Sequence, residues 1–258
     1  MKRAGLMGAA LLVIVIVIGV GVVSATHAPS DETVIFYDGS LGTLPGDQGM
    51  LYGESFTGPT QTISNGGVVF DTSGFPLYQA GYAGSPVLMP KLKRTTGYTI
   101  TFAVQVQTES HFFNNDRAGF SLIALSDDAD GTEPVWGIEL GFWTNEVWAQ
   151  DDDTQGGTLF THAEGATFDT TSTTLYDLHV ITDTYTLLAD GVEILNGRLR
   201  DYSNFSGFPD PYETPNILFL GDDTTSAGAR IKLDYVAISA NSLTPAYNVL
   251  FLPVVLKP

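Results

Sequence analysis

Two tryptophans, two glutamates and a glutamine crowd residues 139–150: Glu139, Trp143, Glu146, Trp148 and Gln150. Two chemistries use such a set. Indole rings stack on the C–H-rich side of sugars while carboxylates and amides take the hydroxyls, which makes a lectin-like surface. Two carboxylates flanking a glycosidic bond would instead hydrolyse it. The residues share one face only if Trp136 to Gln150 (WGIELGFWTNEVWAQ) folds as a hairpin, with strands 137–143 and 146–150 joined at Thr144-Asn145. A two-residue link containing Asn is a hairpin signal. This register sets Trp143 against Glu146, Phe142 against Val147, Gly141 against Trp148, Leu140 against Ala149 and Glu139 against Gln150. Strand alternation sends Ile138, Leu140, Phe142, Val147 and Ala149 to the core, and leaves the tryptophans, Glu139, Glu146 and Gln150 opposite them. An open, weak carbohydrate-binding face is the expectation.

The same register weighs against hydrolysis by this pair. Glu139 and Glu146 stand about 13 Å apart along the strand direction at ~3.3 Å per residue. The acids of glycosidases sit ~5.5 to ~9.5 Å apart. Glu139 working with an acid from elsewhere, such as Glu164 or Asp222, is the enzymatic arrangement left. No G-x-S-x-G elbow occurs and no histidine pair has zinc spacing. Residues placed to close a sugar site are Arg117 and His111 on one side, His162 with Glu164 on another, and the aromatic-rich segment 200–212 with Tyr202. No cofactor is required. Calcium is the one ion the sequence permits, at 126–131, Asp151 to Asp153 or Asp222-Asp223, although Asp-rich clusters of this kind chiefly mark turns.

The elements that must hold these residues are short strands. Residues 98–107 alternate Tyr98, Ile100, Phe102, Val104 and Val106 with Thr99, Thr101, Ala103, Gln105 and Gln107, a period of two with one apolar face and one that is wet or meets a polar ligand. Further strands are expected at 34–37, 68–70, 118–126, 175–182, 184–189, 192–195, 217–220 and 230–239, with Asp190-Gly191 as a tight turn. Residues 75–92, with Pro76, Pro86 and Pro90, read as an irregular excursion. Many strands at this spacing indicate an all-β fold, an antiparallel β-sandwich or barrel.

Composition sets the surroundings. The chain carries 29 acidic against 11 basic residues, a net charge of −18. Nucleic acid needs a basic footprint and is excluded as a partner; anionic lipid is disfavoured for the same reason. There is no cysteine, and a domain of this length buries enough apolar area without disulfides. Lys2-Arg3, an apolar run over 4–23 and the small residues Val23-Ser24-Ala25 make 1–28 a signal peptide or an uncleaved anchor. The domain follows over 33–239 and a short apolar tail over 240–258, readable as a sorting signal or a last edge strand. The expected location is extracellular or at the cell surface, with membrane contact only through the N-terminal segment or the tail.

The run YDLHVITDTYTLLADG (176–191), then NILFLG (216–221) and LDYVAI (233–238), resembles the closing strands of concanavalin-A-like, laminin-G-like jelly rolls. More narrowly, DRAGFS (116–121), GIELGFW (137–143), FTHAEG (160–165), LRDYS (199–203) and PDPYE (209–213) are similar to exported bacterial domains with interchangeable C-terminal anchors. The resemblance implies a concanavalin-A-like jelly roll and brings no activity with it. The function expected is therefore a lectin-like module for carbohydrate or cell-surface glycan. The rivals are a structural or adhesion sandwich whose loops cover the tryptophan face, and a glycoside hydrolase using Glu139.

Overall fold

A computed structural model describes residues 31–127, 134–207 and 210–241. The expected signal peptide or anchor over 1–28, nearly all of the expected tail over 240–258 and most of the 126–131 calcium candidate lie outside the described residues. In chain order the strands are β1 (Asp31–Asp38), β2 (Met50–Glu54), β3 (Thr60–Ser64), β4 (Gly67–Asp71), β5 (Ala80–Gly84), β6 (Tyr98–His111), β7 (Ser121–Leu125) and β8 (Trp136–Phe142). They continue as β9 (Glu146–Gln150), β10 (His162–Thr167), β11 (Thr174–Ile181), β12 (Thr184–Ala189), β13 (Val192–Arg198), β14 (Arg200–Asp201), β15 (Ile217–Asp222) and β16 (Ala227–Asn241).

They form two antiparallel sheets. One runs β13-β12-β11-β6-β16-β4-β3 with β1 also on β16; the other runs β10-β9-β8-β7-β15-β5-β2 with β14 also on β8. The protein is an antiparallel β-sandwich of jelly-roll type. The period-two run over 98–107 becomes β6, the central strand of the first sheet. Its partners β16 and β11 are aligned by Ile238↔Ile100 and Leu178↔Ile100. Asp190 and Gly191 both take positive φ and turn β12 into β13, as the sequence requires.

The core lies between the sheets. Phe142 and Phe120 from one sheet meet Phe102 and Tyr176 from the other, with ring centres 5.1 to 5.8 Å apart. All four are buried. Five strands depart from the sequence expectation, β3 and the two-residue β14 being absent from it and β5, β2 and β10 lying in stretches read otherwise. Residues 80–84 form β5 inside the stretch read as irregular, because Ala80-Gly-Tyr-Ala-Gly84 supplies thin backbone rather than loop punctuation: a Cβ at Gly84 would sit 2.3 Å from the Met89 sulfur. Residues 50–54 and 162–167, also expected outside regular structure, are the edge strands β2 and β10.

Phe142→Ala should lower unfolding free energy by about 3–5 kcal/mol, since it removes the ring that joins both sheets. Chemical denaturation should show a lower midpoint with an unchanged slope.

Candidate functional site

The hairpin takes the register expected from its sequence. Leu140, Gly141 and Phe142 pair with Ala149, Trp148 and Val147, and the Trp143 amide closes the turn by donating to the Glu146 carbonyl at 2.9 Å. Ile138, Leu140 and Phe142 do face the core. The other face is not open. Glu139, Trp148, Gln150 and Tyr202 are fully buried and Arg117 nearly so, which corrects the expectation of an exposed binding surface. The cause is a second apolar cluster of Ile123, Leu125, Val135, Tyr202 and Tyr212, against which Leu159, Phe160 and Phe205 pack. The segments 151–161, 199–207 and 210–216 fold over the sheet and seal it.

Trp148 disappears for a local reason. Its partner across the strands is Gly141, and its ring lies where a side chain would stand, since a Cβ there would come 2.6 Å from the ring. His162 stacks on its far side at 4.0 Å and an interplanar angle of 22°. Gln150 donates to the Asp116 carbonyl at 3.0 Å. Trp143, Glu146 and His162 remain half-buried at the hairpin end. Trp143 has His111, Trp148 and His162 against its ring at 4.6, 4.7 and 5.2 Å, and its indole N–H donates to the Arg117 carbonyl. The structure gathers the hairpin tryptophans, His111 and His162, but as a packed knot.

Glu139 sits at the centre of the sealed face. Tyr212 Oη donates to its Oε2 at 2.6 Å, and the Tyr202 hydroxyl accepts from its backbone N–H at 3.1 Å. Arg117 lies 3.1 Å from Oε1 in ion-pair contact, donates a hydrogen bond to Asp223 instead, and packs its guanidinium 4.3 Å from the Phe160 ring centre. One guanidinium thus serves two carboxylates. Burial, with Asp223 nearby, pushes the Glu139 carboxyl up to about 7 against the opposing pull of Arg117 and Tyr212. Burial likewise lifts Asp222 well above the usual carboxylate range. Glu139 is therefore a structural acid without access to substrate, and the hydrolytic arrangement built on it has no support.

Two further clamps hold the covering segments. Arg198 makes a bidentate bond to Asp152 at 2.8 and 2.5 Å, and Asp152 also accepts from the Asp201 amide at 3.0 Å. Arg200 grips Glu164, which also accepts from Tyr185 at 2.6 Å. Burial alone would raise the Asp152 carboxyl; the bonds from Arg198, the Asp201 amide and Thr154 outweigh it and hold the group down near 2. These acids, together with Asp222, which caps the Thr224 amide, are occupied as structural acceptors. Among the described residues no group of three or more ligating side chains is arranged to hold a metal ion.

An accessible site lies elsewhere, at the mouth between the sheets. A groove of about 450 Å3 is lined by Arg94, Trp136, Thr154, Gln155, Asp183, Arg198 and Leu199. Trp136 is half-exposed, with the Arg94 guanidinium 5.9 Å from its ring centre. Arg94 is ion-paired to Asp183 and Arg198 to Asp152, so the walls are charge-balanced. Thr154, Gln155 and Asp183 are exposed. Sequence reasoning missed this set because Trp136 has the parity of Ile138 and Leu140 and reads as core, while its neighbours come from four separate segments. The usable signal was its place as first residue of the strand, where an inward ring reaches the rim.

No protein-family model and no curated protein sequence matches the chain. Solved structures do. A carbohydrate esterase of the Shiga toxin-encoding bacteriophage phi24B is similar over 83% of this chain and 100% of its own, at 13% identity and a TM-score of 0.52. The metal-free carbohydrate recognition domain of Emp46p is similar over 79% of this chain and 94% of its own, at 11% identity and a TM-score of 0.46. A native glycosidic hydrolase covers 86% of this chain and 100% of its own, at 13% identity and 0.44. At these identities the likeness is one of fold.

The buried acid gives a pH signature of unusual sign. The folded chain holds the Glu139 proton up to about 7 while the unfolded chain releases it near the ordinary glutamate value of 4.5. Folding therefore binds a proton in that window, and stability falls as pH rises from about 5 to 7.5, by on the order of 3 kcal/mol, then levels off. Thermal melts across this range should show the decline, and Glu139→Gln, which mimics the neutral acid, should make it shallower, leaving the part that the buried Asp222 contributes with the same sign. Acrylamide should quench Trp136 and Trp143 in the wild type and spare Trp148; equal quenching of all three would contradict the sealed face.

Proposed function

We propose that this chain is an exported carbohydrate-binding β-sandwich whose ligand seat is the Trp136 groove. The observation that carries the reading is the groove itself. A half-exposed indole stands beside a hydroxyl, an amide and a carboxylate in a concavity of about 450 Å3. That volume falls within the range of small-ligand sites, and the aromatic-plus-polar lining is what a sugar ring requires. The charge-balanced walls and the net charge of −18 favour an uncharged sugar over an anionic one. That the phage carbohydrate esterase shares this fold is consistent, as an analogy of fold.

Trp143, Glu146, His162 and the buried set around them support the seat as scaffold in this reading. The rival, a structural sandwich without a sugar site, is favoured by one observation, the sealing of the hairpin face. One experiment separates the two. On a glycan array the full chain should bind uncharged glycans, and Trp136→Ala should weaken that binding more than tenfold, as expected for an aromatic anchor in a small site. Trp143→Ala should instead lower the melting temperature and leave binding by the folded fraction unchanged. An array with no signal, or binding indifferent to Trp136→Ala, would leave the structural reading in possession.

A further inference from the structure

The second face of β6, wet or ligand-binding by its sequence, is not absorbed by the groove. The pairing registers line up six polar side chains across six strands in one row. Thr33 on β1 stands opposite Ser239 on β16, Ser239 opposite Thr99 on β6, and Thr99 opposite His179 on β11. His179 stands opposite Thr186 on β12, and Thr186 opposite Asn196 on β13. Their chain neighbours Ile100, Val180, Leu187, Leu195, Ile238 and Ala240 are buried in the core, so alternation turns all six outward. All six are exposed or half-exposed among the described residues. Five inter-strand spacings of ~4.8 Å make the row about 24 Å long.

The row has the chemistry of a polyol partner. It holds hydroxyls, an imidazole and an amide, and no Asp, Glu, Lys or Arg. Thr33 and Ser239 share a hydrogen bond at 2.7 Å, as do Thr99 Oγ1 and His179 Nδ1 at 2.7 Å. Each hydroxyl keeps a lone pair or a proton for an outside partner, because Ser and Thr each carry one donor and two acceptor positions. The surface is also indented there. A groove of about 240 Å3 is lined by Thr96, Thr99, His179, Ile181 and Ser239, with Ile181 an exposed aliphatic wall. Nucleic acid and anionic polymers are repelled by the net charge of −18.

We propose that this row is a second binding site, for an extended uncharged polysaccharide strand lying across the sheet. A 24 Å row suits several consecutive sugar units, whereas the Trp136 groove suits one or two. The two sites flank one ridge: Thr182 donates its amide to the Arg94 carbonyl, with Ile181 on one side of that bond and Asp183 on the other. The inference adds to the carbohydrate reading of the groove and stands or falls separately from it.

Native affinity electrophoresis of the full chain tests it, with xyloglucan, galactomannan and dextran as neutral polymers and polygalacturonate as the anionic control. At least one neutral polymer should retard the chain, and polygalacturonate should not. The double variant Thr99→Val with His179→Ala, both at half-exposed or exposed positions, should keep the wild-type melting temperature and lose retardation at least tenfold. It should still bind short oligosaccharides of the same polymer within twofold of wild type. Retardation equal to wild type in the double variant, preference for polygalacturonate, or no retardation by any neutral polymer would overturn the proposal. Polymer retardation lost in the double variant but kept in Trp136→Ala supports the row whatever becomes of the groove, whose own test is short-glycan binding; retardation kept in the double variant but lost in Trp136→Ala overturns the row.

Discussion

A carboxylate in the middle of a sheet face must either meet water or be given partners, and Glu139 is given partners. Leaving it buried and bare would cost several kcal/mol. Its surroundings come from segments far apart in the chain: Arg117 before β7, Tyr202 and Tyr212 from the segment after β13, and Asp223 after β15. These contacts require the assembled sandwich, with Tyr202 and Tyr212 lying over its outer face. The covering segments then become obligatory parts of the fold. Their apolar residues, Phe160, Phe205, Tyr202 and Tyr212, stack with ring centres 5.2 to 5.9 Å apart and exclude water from the acid they enclose.

This enclosure explains where sequence reasoning succeeded and where it stopped. Period-two runs and two-residue turns are local, so β6, the β8–β9 hairpin and the β11–β12–β13 meander were legible, and for the hairpin also which side chain opposes which. Strands whose side chains are small or wet were not. β5 is made of Ala, Gly and Tyr, and β10 of His, Ala, Glu, Gly and Thr; such segments are strands because of what they lie against. The exposure of Glu139 and Trp148 was beyond local reading for the same reason. Alternation correctly sent them away from the main core, and it carries no information about a second cluster on the far side. The segment 200–212 was recognisable as rich in aromatics, yet an aromatic loop that closes on a ligand and one that closes on its own sheet have the same composition.

The accessible chemistry is a by-product of that closure. Arg198 and Leu199 reach the Trp136 groove from the strand end that leads into the covering segment, and Thr154 and Gln155 reach it from the other covering segment. Asp152 ties the two together by holding Arg198, Thr154 and the Asp201 amide at once. The rim of the groove is thus fixed by the clamps that seal the sheet, and a seat with ordered walls loses less entropy when it takes a ligand. Among the described residues the first sheet's polar row is exposed or half-exposed on its outer face and is ordered by the ladder. The two faces of the sandwich therefore diverge for one reason: a single buried acid on one side demands a roof, and the row of neutral hydrogen-bonding groups on the other can be satisfied by water.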